Sequence, residues 1–146
     1  MFTGNYFNTI DAKGRVFIPT KLRFSLGERV WLVKGVDACL YILTEGAWRE
    51  FTAEYITKLT LKDAKARKLQ RFFLGNSREV EIDKQGRVNL PQDHIEYAAI
   101  EKDVVFVGCG ERIELWGAES FGKEMDPKAF DPDELMRGAA GITDEE

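Results

Sequence analysis

The sequence predicts an α+β, β-rich fold in which two copies of one structural unit share a single core. Three observations predict it. Asp11-Ala12-Lys13-Gly14-Arg15-Val16-Phe17-Ile18-Pro19 returns as Asp83-Lys84-Gln85-Gly86-Arg87-Val88-Asn89-Leu90-Pro91, with Asp, Gly, Arg, Val, an aliphatic residue and Pro at identical spacing. After a one-residue slip the match continues from residues 35–41 into 108–114, and from Trp48 to Phe121. Between the copies lies a stretch whose apolar residues recur every three or four positions, the period of a helix. An internal repeat sets the architecture, and a unit this short buries little of its surface alone. The expected solution is one pseudo-twofold unit with helices linking and flanking the two repeats.

Each element follows from local chemistry. Residues 2–10 are rich in aromatic and β-favouring types and read as a strand. Asp11 to Gly14 supply a turn: Asp bonds the backbone ahead of it and Gly takes positive φ. Residues 16–18 resume as a strand that Pro19 ends, residues 21–26 form one or two helical turns, and Gly27 is a candidate C-cap. Residues 30–33 and 39–43 are strands around a turn at 35–38. Thr44 caps a helix whose inner face is Trp48, Phe51, Tyr55 and Leu59. Thr60 with Asp63 opens a second helix with the stripe Ala66, Leu69 and Phe73, flanked by Phe72, and Gly75-Asn76 stops it. The second copy repeats the plan: strands at 78–82, 88–90, 104–107 and 113–116, a short helix at 92–99 and a helical end at 118–125. The expected total is about eight short strands and four to six helical pieces.

Composition narrows the class. No apolar run approaches the roughly 20 residues that cross a bilayer, and the opening Met-Phe-Thr-Gly-Asn-Tyr lacks the plan of a signal peptide. A cytoplasmic location without a membrane partner is expected. Cys39 and Cys109 are not equivalent in the repeat and read as small core residues rather than a disulfide or zinc pair. The net charge of -4 divides unevenly: residues 1–90 carry 16 Lys+Arg against 10 Asp+Glu, whereas residues 91–146 carry 5 against 15. Much of the acid lies in residues 124–146, which read as a weakly ordered tail. No Ser or Cys has an identifiable base, and no phosphate loop or metal-ligand spacing is present. The single histidine, His94, reads as a surface or partly buried residue. An enzyme, a cofactor, a metal and a small-molecule substrate are therefore not expected.

Gly14-Arg15 and Gly86-Arg87 admit two readings. In one, Gly shapes the turn and Arg braces the Asp four residues earlier. In the other, a pseudo-twofold presents two Arg-bearing turns to a two-sided ligand such as duplex DNA, because the planar Arg fork reads a guanine edge. A rival basic surface is the helix carrying Lys62, Lys65, Arg67, Lys68 and Arg71, which is either a solvated face or a phosphate or subunit contact.

Asp-x-x-Gly-Arg-x-x-x-Pro followed by a short helix and a strand resembles the AbrB-type swapped-hairpin DNA-binding domain. Two such copies, joined by a helical linker ending in Arg71-Phe72-Phe73-Leu74, resemble the bacterial MraZ family of transcriptional regulators. The resemblance runs from Met1 to about Phe121 and includes the Met-Phe-x-Gly-x-Tyr start. It implies tandem AbrB-like swapped-hairpin β-barrel repeats at residues 1–48 and 77–123, a helical linker at 49–76, and an acidic tail at 124–146 outside the match. It further implies a ring-shaped homo-oligomer in the cytoplasm, associated with the nucleoid. Such a ring would bind double-stranded DNA at promoter repeats and regulate the cell-division and cell-wall gene cluster, its own promoter included. The family's Asp-x-x-x-Arg motif maps onto Asp11 with Arg15 and Asp83 with Arg87. Lys13 and Lys84 join Arg15 and Arg87 as expected DNA contacts, with Asp11, Gly14, Asp83 and Gly86 shaping the loops. Because Lys13 aligns with Gln85 and Lys84 with Ala12, the half-sites are expected to be unequal. AbrB-type folds also serve antitoxins and scaffolds, so an acidic tail that binds a protein partner is the alternative.

Overall fold

Alternation of apolar side chains along the strands decides how this chain is layered. The computed structural model describes residues 1–139. Its strands are β1 (Asn5–Thr9), β2 (Arg15–Phe17), β3 (Arg29–Lys34), β4 (Leu40–Leu43), β5 (Arg78–Glu81), β6 (Arg87–Asn89), β7 (Asp103–Cys109) and β8 (Arg112–Gly117). Its helices are α1 (Thr20–Arg23), α2 (Glu45–Phe51), α3 (Ala64–Asn76), α4 (Gln92–Tyr97), α5 (Ala118–Glu124) and α6 (Pro132–Gly138). Six strands form one antiparallel sheet in the order β1-β7-β8-β4-β3-β5, and β2 pairs with β6 as a separate ribbon.

Read from either edge, that order gives the same series of repeat-equivalent strands. The approximate twofold therefore passes between β8 and β4 in the sheet and between Val16 and Val88 in the ribbon. Each copy lends its first strand to the other: β1 pairs with β7, and β5 with β3.

Successive side chains point to opposite faces of a strand, and here each face has its own core. On one face Val30, Leu32, Leu40, Ile42, Val104, Phe106, Ile113 and Leu115 are fully buried beneath Val16, Ile18, Leu22, Val88 and Leu90 of the ribbon and short helices. On the other, Val33, Tyr41, Leu43 and Trp116 pack with Ile56 and Phe73 of the helical linker. At the seam the copies differ. Tyr41 pairs across it with Glu114, a buried carboxylate that accepts from Trp116 Nε1 at 2.9 Å and Arg112 Nε at 2.9 Å.

Several expectations need correction. The strands do not close into a hydrogen-bonded β-barrel: β1 and β5 form the edges of the sheet, and the ribbon covers one face. Each ribbon strand is three residues long and pairs only with the other copy's equivalent. Thr44 does cap α2, its Oγ1 accepting from Ala47 N at 3.1 Å. The helix then passes into a π-helical turn at Thr52–Ile56. A π turn inserts one residue into the helical period, so Ile56 takes the inward place and Tyr55 is 63% exposed. In α3, Asp63 rather than Thr60 is the cap, and Leu69 is exposed while Ala66 and Phe73 are buried.

His94 is fully buried rather than at the surface, because it occupies in α4 the place Leu22 holds in α1. Its Nδ1 lies 3.3 Å from Asp93 Oδ1. Of the two free cysteines, Cys39 is buried and Cys109 half-buried. Within the acidic tail Asp131 caps the exposed helix α6, and residues 140–146 lie outside the described residues.

Candidate nucleic-acid interface

Both copies fold Asp-x-x-Gly-Arg into the same closed turn. Asp11 Oδ1 accepts from the amides of Lys13 and Arg15, both at 2.9 Å, and its Oδ2 accepts from Arg15 Nε at 2.8 Å. Asp83 repeats this with the amides of Gln85 at 2.9 Å and Arg87 at 2.8 Å, and with Arg87 Nε at 2.8 Å. The chain closes through Gly14 N to Asp11 O at 3.0 Å and Gly86 N to Asp83 O at 2.9 Å. Gly14 and Gly86 sit at φ +83 and +88, where a residue with a side chain is strained. The arginine amide in each turn, more than any other donor, holds the Asp11 and Asp83 carboxyls below the usual carboxylate range.

This local geometry reconciles the two readings of the arginines. The brace uses Nε alone, so neither terminal nitrogen of Arg15 or Arg87 has a partner among the described residues. An Arg anchored at Nε has its orientation set and still offers two parallel N–H donors.

The ribbon then brings the two turns together. Arg15 faces Asn89, Val16 faces Val88, and Phe17 faces Arg87. Because the valines are buried, Arg15, Phe17, Arg87 and Asn89 share the outward face. Arg15 and Arg87 are diagonal neighbours there, roughly 7–8 Å apart at the backbone. The ribbon is latched at both ends by Ile18 N to Gly86 O at 2.9 Å and Leu90 N to Gly14 O at 2.8 Å, so each turn is held by the other copy's strand. Lys13 and Lys84 are exposed on the turns that precede the two arginines.

The ends are unequal in a further way. The Arg87 guanidinium lies over the Phe17 ring, 5.7 Å from its centroid, a cation–π contact. Arg15 has Asn89 in the corresponding place. Phe17 and Arg23 were not singled out by sequence reasoning. Phe17 was recoverable, because alternation puts it on the same face as Arg15. Arg23 was not, because only the packing of α1 against the other copy's turn brings it to Gly86.

The rival basic helix lies elsewhere. Ala66 and Phe73 anchor α3 to the sheet face opposite the ribbon, which leaves Lys65, Lys68 and Arg71 exposed there. Arg67 instead donates through Nη1 to Leu61 O at 2.7 Å. One flat ligand cannot meet α3 and the ribbon together. Among the described residues no three His, Cys, Asp or Glu side chains group as a metal site, and no helix is long and apolar enough to cross a membrane.

Comparison with known proteins is consistent across the chain. A family model described as "MraZ protein, putative antitoxin-like" matches residues 1–72 and again 73–131. The chain is 49% identical over 120 residues to the transcriptional regulator MraZ of Thermoanaerobacter sp. (strain X514), covering 82% of each protein. It is 45% identical over 123 residues to that of Heliobacterium modesticaldum, covering 84% of this chain and 85% of the relative. With the Limosilactobacillus fermentum protein of the same name the identity is 39% over 143 residues, covering 98% of this chain and 99% of the relative.

Proposed function

This chain belongs to the MraZ family, and from that premise we propose that it is a transcription regulator that binds promoter DNA through its two Asp-x-x-x-Arg turns. One observation carries the reading: two arginines with unpartnered terminal nitrogens stand on the outward face of a two-stranded ribbon. B-DNA's major groove admits a two-stranded ribbon, and guanine presents there two acceptors that match an Arg fork. Arg15 and Arg87 read bases in this account, while Lys13 and Lys84 neutralise phosphate. Phosphate contacts set register and base contacts set sequence choice.

The remaining parts of the proposal follow the family resemblance. The fold is of AbrB type, with its repeats at 1–48 and 77–123, a linker at 49–76 and a tail beyond. Copies assemble into a ring on repeated operator elements, in the cytoplasm at the nucleoid, and act on the cell-division and cell-wall cluster that includes the regulator's own promoter. Exposed Tyr55 borders a depression of about 540 Å³ on the helical face, with an apolar floor of Tyr41, Leu43, Ala47 and Phe51 and charged residues such as Glu50, Glu54 and Arg112 around it. That surface is turned away from the ribbon and suits contact between copies, so assembly and DNA binding would not compete. Several weak sites on one duplex gain avidity without new contacts.

A second reading has one observation in its favour. Leu135 and Met136 are exposed on α6, as a tail that engages a protein partner would require. A partner that co-purifies with the full chain and is lost on truncation after Met125 would support it.

The deciding experiment compares DNA from upstream of the chain's own gene with a scrambled duplex across a salt series. The expected result is that both affinities fall with salt while their ratio stays large. Arg15→Ala is expected to abolish the ratio and leave the fold intact. Equal binding to the two duplexes would overturn the reading.

A further inference from the structure

Arg23 is a guanidinium that the repeat does not duplicate. It stands in the last turn of α1 and is half-buried. Its head group fills the space where a side chain on Gly86 would go: a Cβ there would meet Nη1 at 1.5 Å, Cζ at 2.5 Å and Nε at 3.1 Å. The equivalent residue of the second copy is Ile95, whose Cδ1 lies 3.4 Å from the corresponding point on Gly14. An arginine of the first copy thus rests on the second copy's turn, and an isoleucine of the second copy rests on the first copy's turn.

Two properties separate this arginine from a structural brace. Among the described residues it has no carboxylate within salt-bridge distance and no side-chain hydrogen bond, whereas Arg15, Arg29, Arg49, Arg87, Arg112 and Arg137 each have an acidic partner. None of its nitrogens is fully sealed from solvent either, since Nε2 of His94 is the one buried side-chain nitrogen or oxygen without a partner among the described residues. A charge that is neither neutralised nor sealed, and whose Nη1 end is set against Gly86, is prepared for an external anion.

We propose that Arg23 is a further nucleic-acid contact, a phosphate clamp that serves the second turn alone. The proposal rests on the DNA-binding reading of the two turns. An Arg fork matches the geometry of a phosphate, and packing against Gly86 removes part of the ordering cost that a free surface arginine would bear. The ribbon then has two chemically different ends. One offers Lys13 and Arg15 beside apolar Ile95; the other offers Lys84, Arg87 over Phe17, and Arg23. A protomer with unequal ends has a direction along the duplex, which the pseudo-twofold alone would deny it.

The test uses the full chain, the upstream duplex and the scrambled duplex, with affinity measured across a salt series. Arg23→Gln keeps most of the stem and removes the charge. Its logarithmic salt slope is expected to fall by about 0.9 per engaged protomer, with both duplexes weakened by the same factor and their ratio unchanged. Arg23→Lys should retain most of the slope, and Ile95→Arg should steepen it by a similar amount. A thermal melt of each variant checks that the fold is kept. Wild-type slope and affinity in a folded Arg23→Gln would overturn the proposal, as would a collapse of the ratio at unchanged slope. If the wild type fails to distinguish the duplexes, the sequence-reading role of the turns falls instead, and the slope on either duplex still decides whether Arg23 meets phosphate.

Discussion

Gly14 and Gly86 are equivalent in the repeat and have nearly the same φ, yet replacing each by alanine should have different consequences. Gly27, at φ +78 with no atom within 4 Å of an added Cβ, isolates the strain alone. The left-handed conformation costs an L residue about 1–2 kcal/mol, offset by about 0.4–1 kcal/mol for the freedom that alanine removes from the unfolded chain. Gly27→Ala should therefore destabilise by about 1 kcal/mol. At Gly14 the added Cβ would stand 3.2 Å from the Leu90 carbonyl and 3.3 Å from Asn89 Oδ1. That carbonyl belongs to the ribbon and cannot rotate aside, and the Leu90 N to Gly14 O latch would be disturbed with it. Adding about 0.5–1.5 kcal/mol for a weakened hydrogen bond brings Gly14→Ala to roughly 2 kcal/mol or a little more. At Gly86 the three atoms nearest the added Cβ all belong to the end of the Arg23 side chain, which can swing into solvent. The stability cost of Gly86→Ala should lie between those of Gly27→Ala and Gly14→Ala, because the Ile18 N to Gly86 O latch is also there to be disturbed, while displacement of Arg23 weakens both duplexes by the same factor. Urea denaturation at one fixed protein concentration measures all three, because self-association would couple stability to concentration. A Gly14→Ala midpoint no lower than that of Gly27→Ala would refute the latch argument. A Gly86→Ala midpoint below that of Gly14→Ala would show that Arg23 is wedged rather than free to leave.

Two further outcomes follow from the same structure. Because the Asp11 and Asp83 carboxyls are held below the ordinary value of 3.8, their contribution to the folded turns is complete above that value and is lost as pH falls through the lowered ones. The amide resonances of Gly14 and Gly86 should be constant through neutral and mildly acidic pH and move only below 3.8; movement above it would contradict the bonding described. In the linker, Ile56→Ala should cost about 2–5 kcal/mol as a buried truncation, and Tyr55→Ala, at a residue 63% exposed, clearly less. The reverse ranking in chemical denaturation would mean that the helix continues without its π turn.

The turns were legible in the sequence because their chemistry is self-contained. Every hydrogen bond that closes Asp11 to Arg15, and its copy at Asp83 to Arg87, lies within five residues. The same holds for the Thr44 cap and for the strands, whose alternating side chains already assign two faces. Pairing was different, since a strand's pattern specifies which face it buries and not which neighbour bonds its edge. The exchange of β1 and β5 between copies, with the open sheet it leaves in place of a barrel, came from the way the whole chain buries both faces at once. Ile56 displaced Tyr55 because one inserted residue turns a helix face without altering the composition that announced it. His94 went inside because its place in the repeat is Leu22's, and the space there was already shaped by the fold. Arg23 was beyond sequence reasoning altogether: its role depends on contact between α1 of one copy and the glycine turn of the other, 63 residues away along the chain. Local hydrogen bonds thus determined the two arginine turns by themselves, whereas their difference arose only when packing set unlike side chains beside like loops.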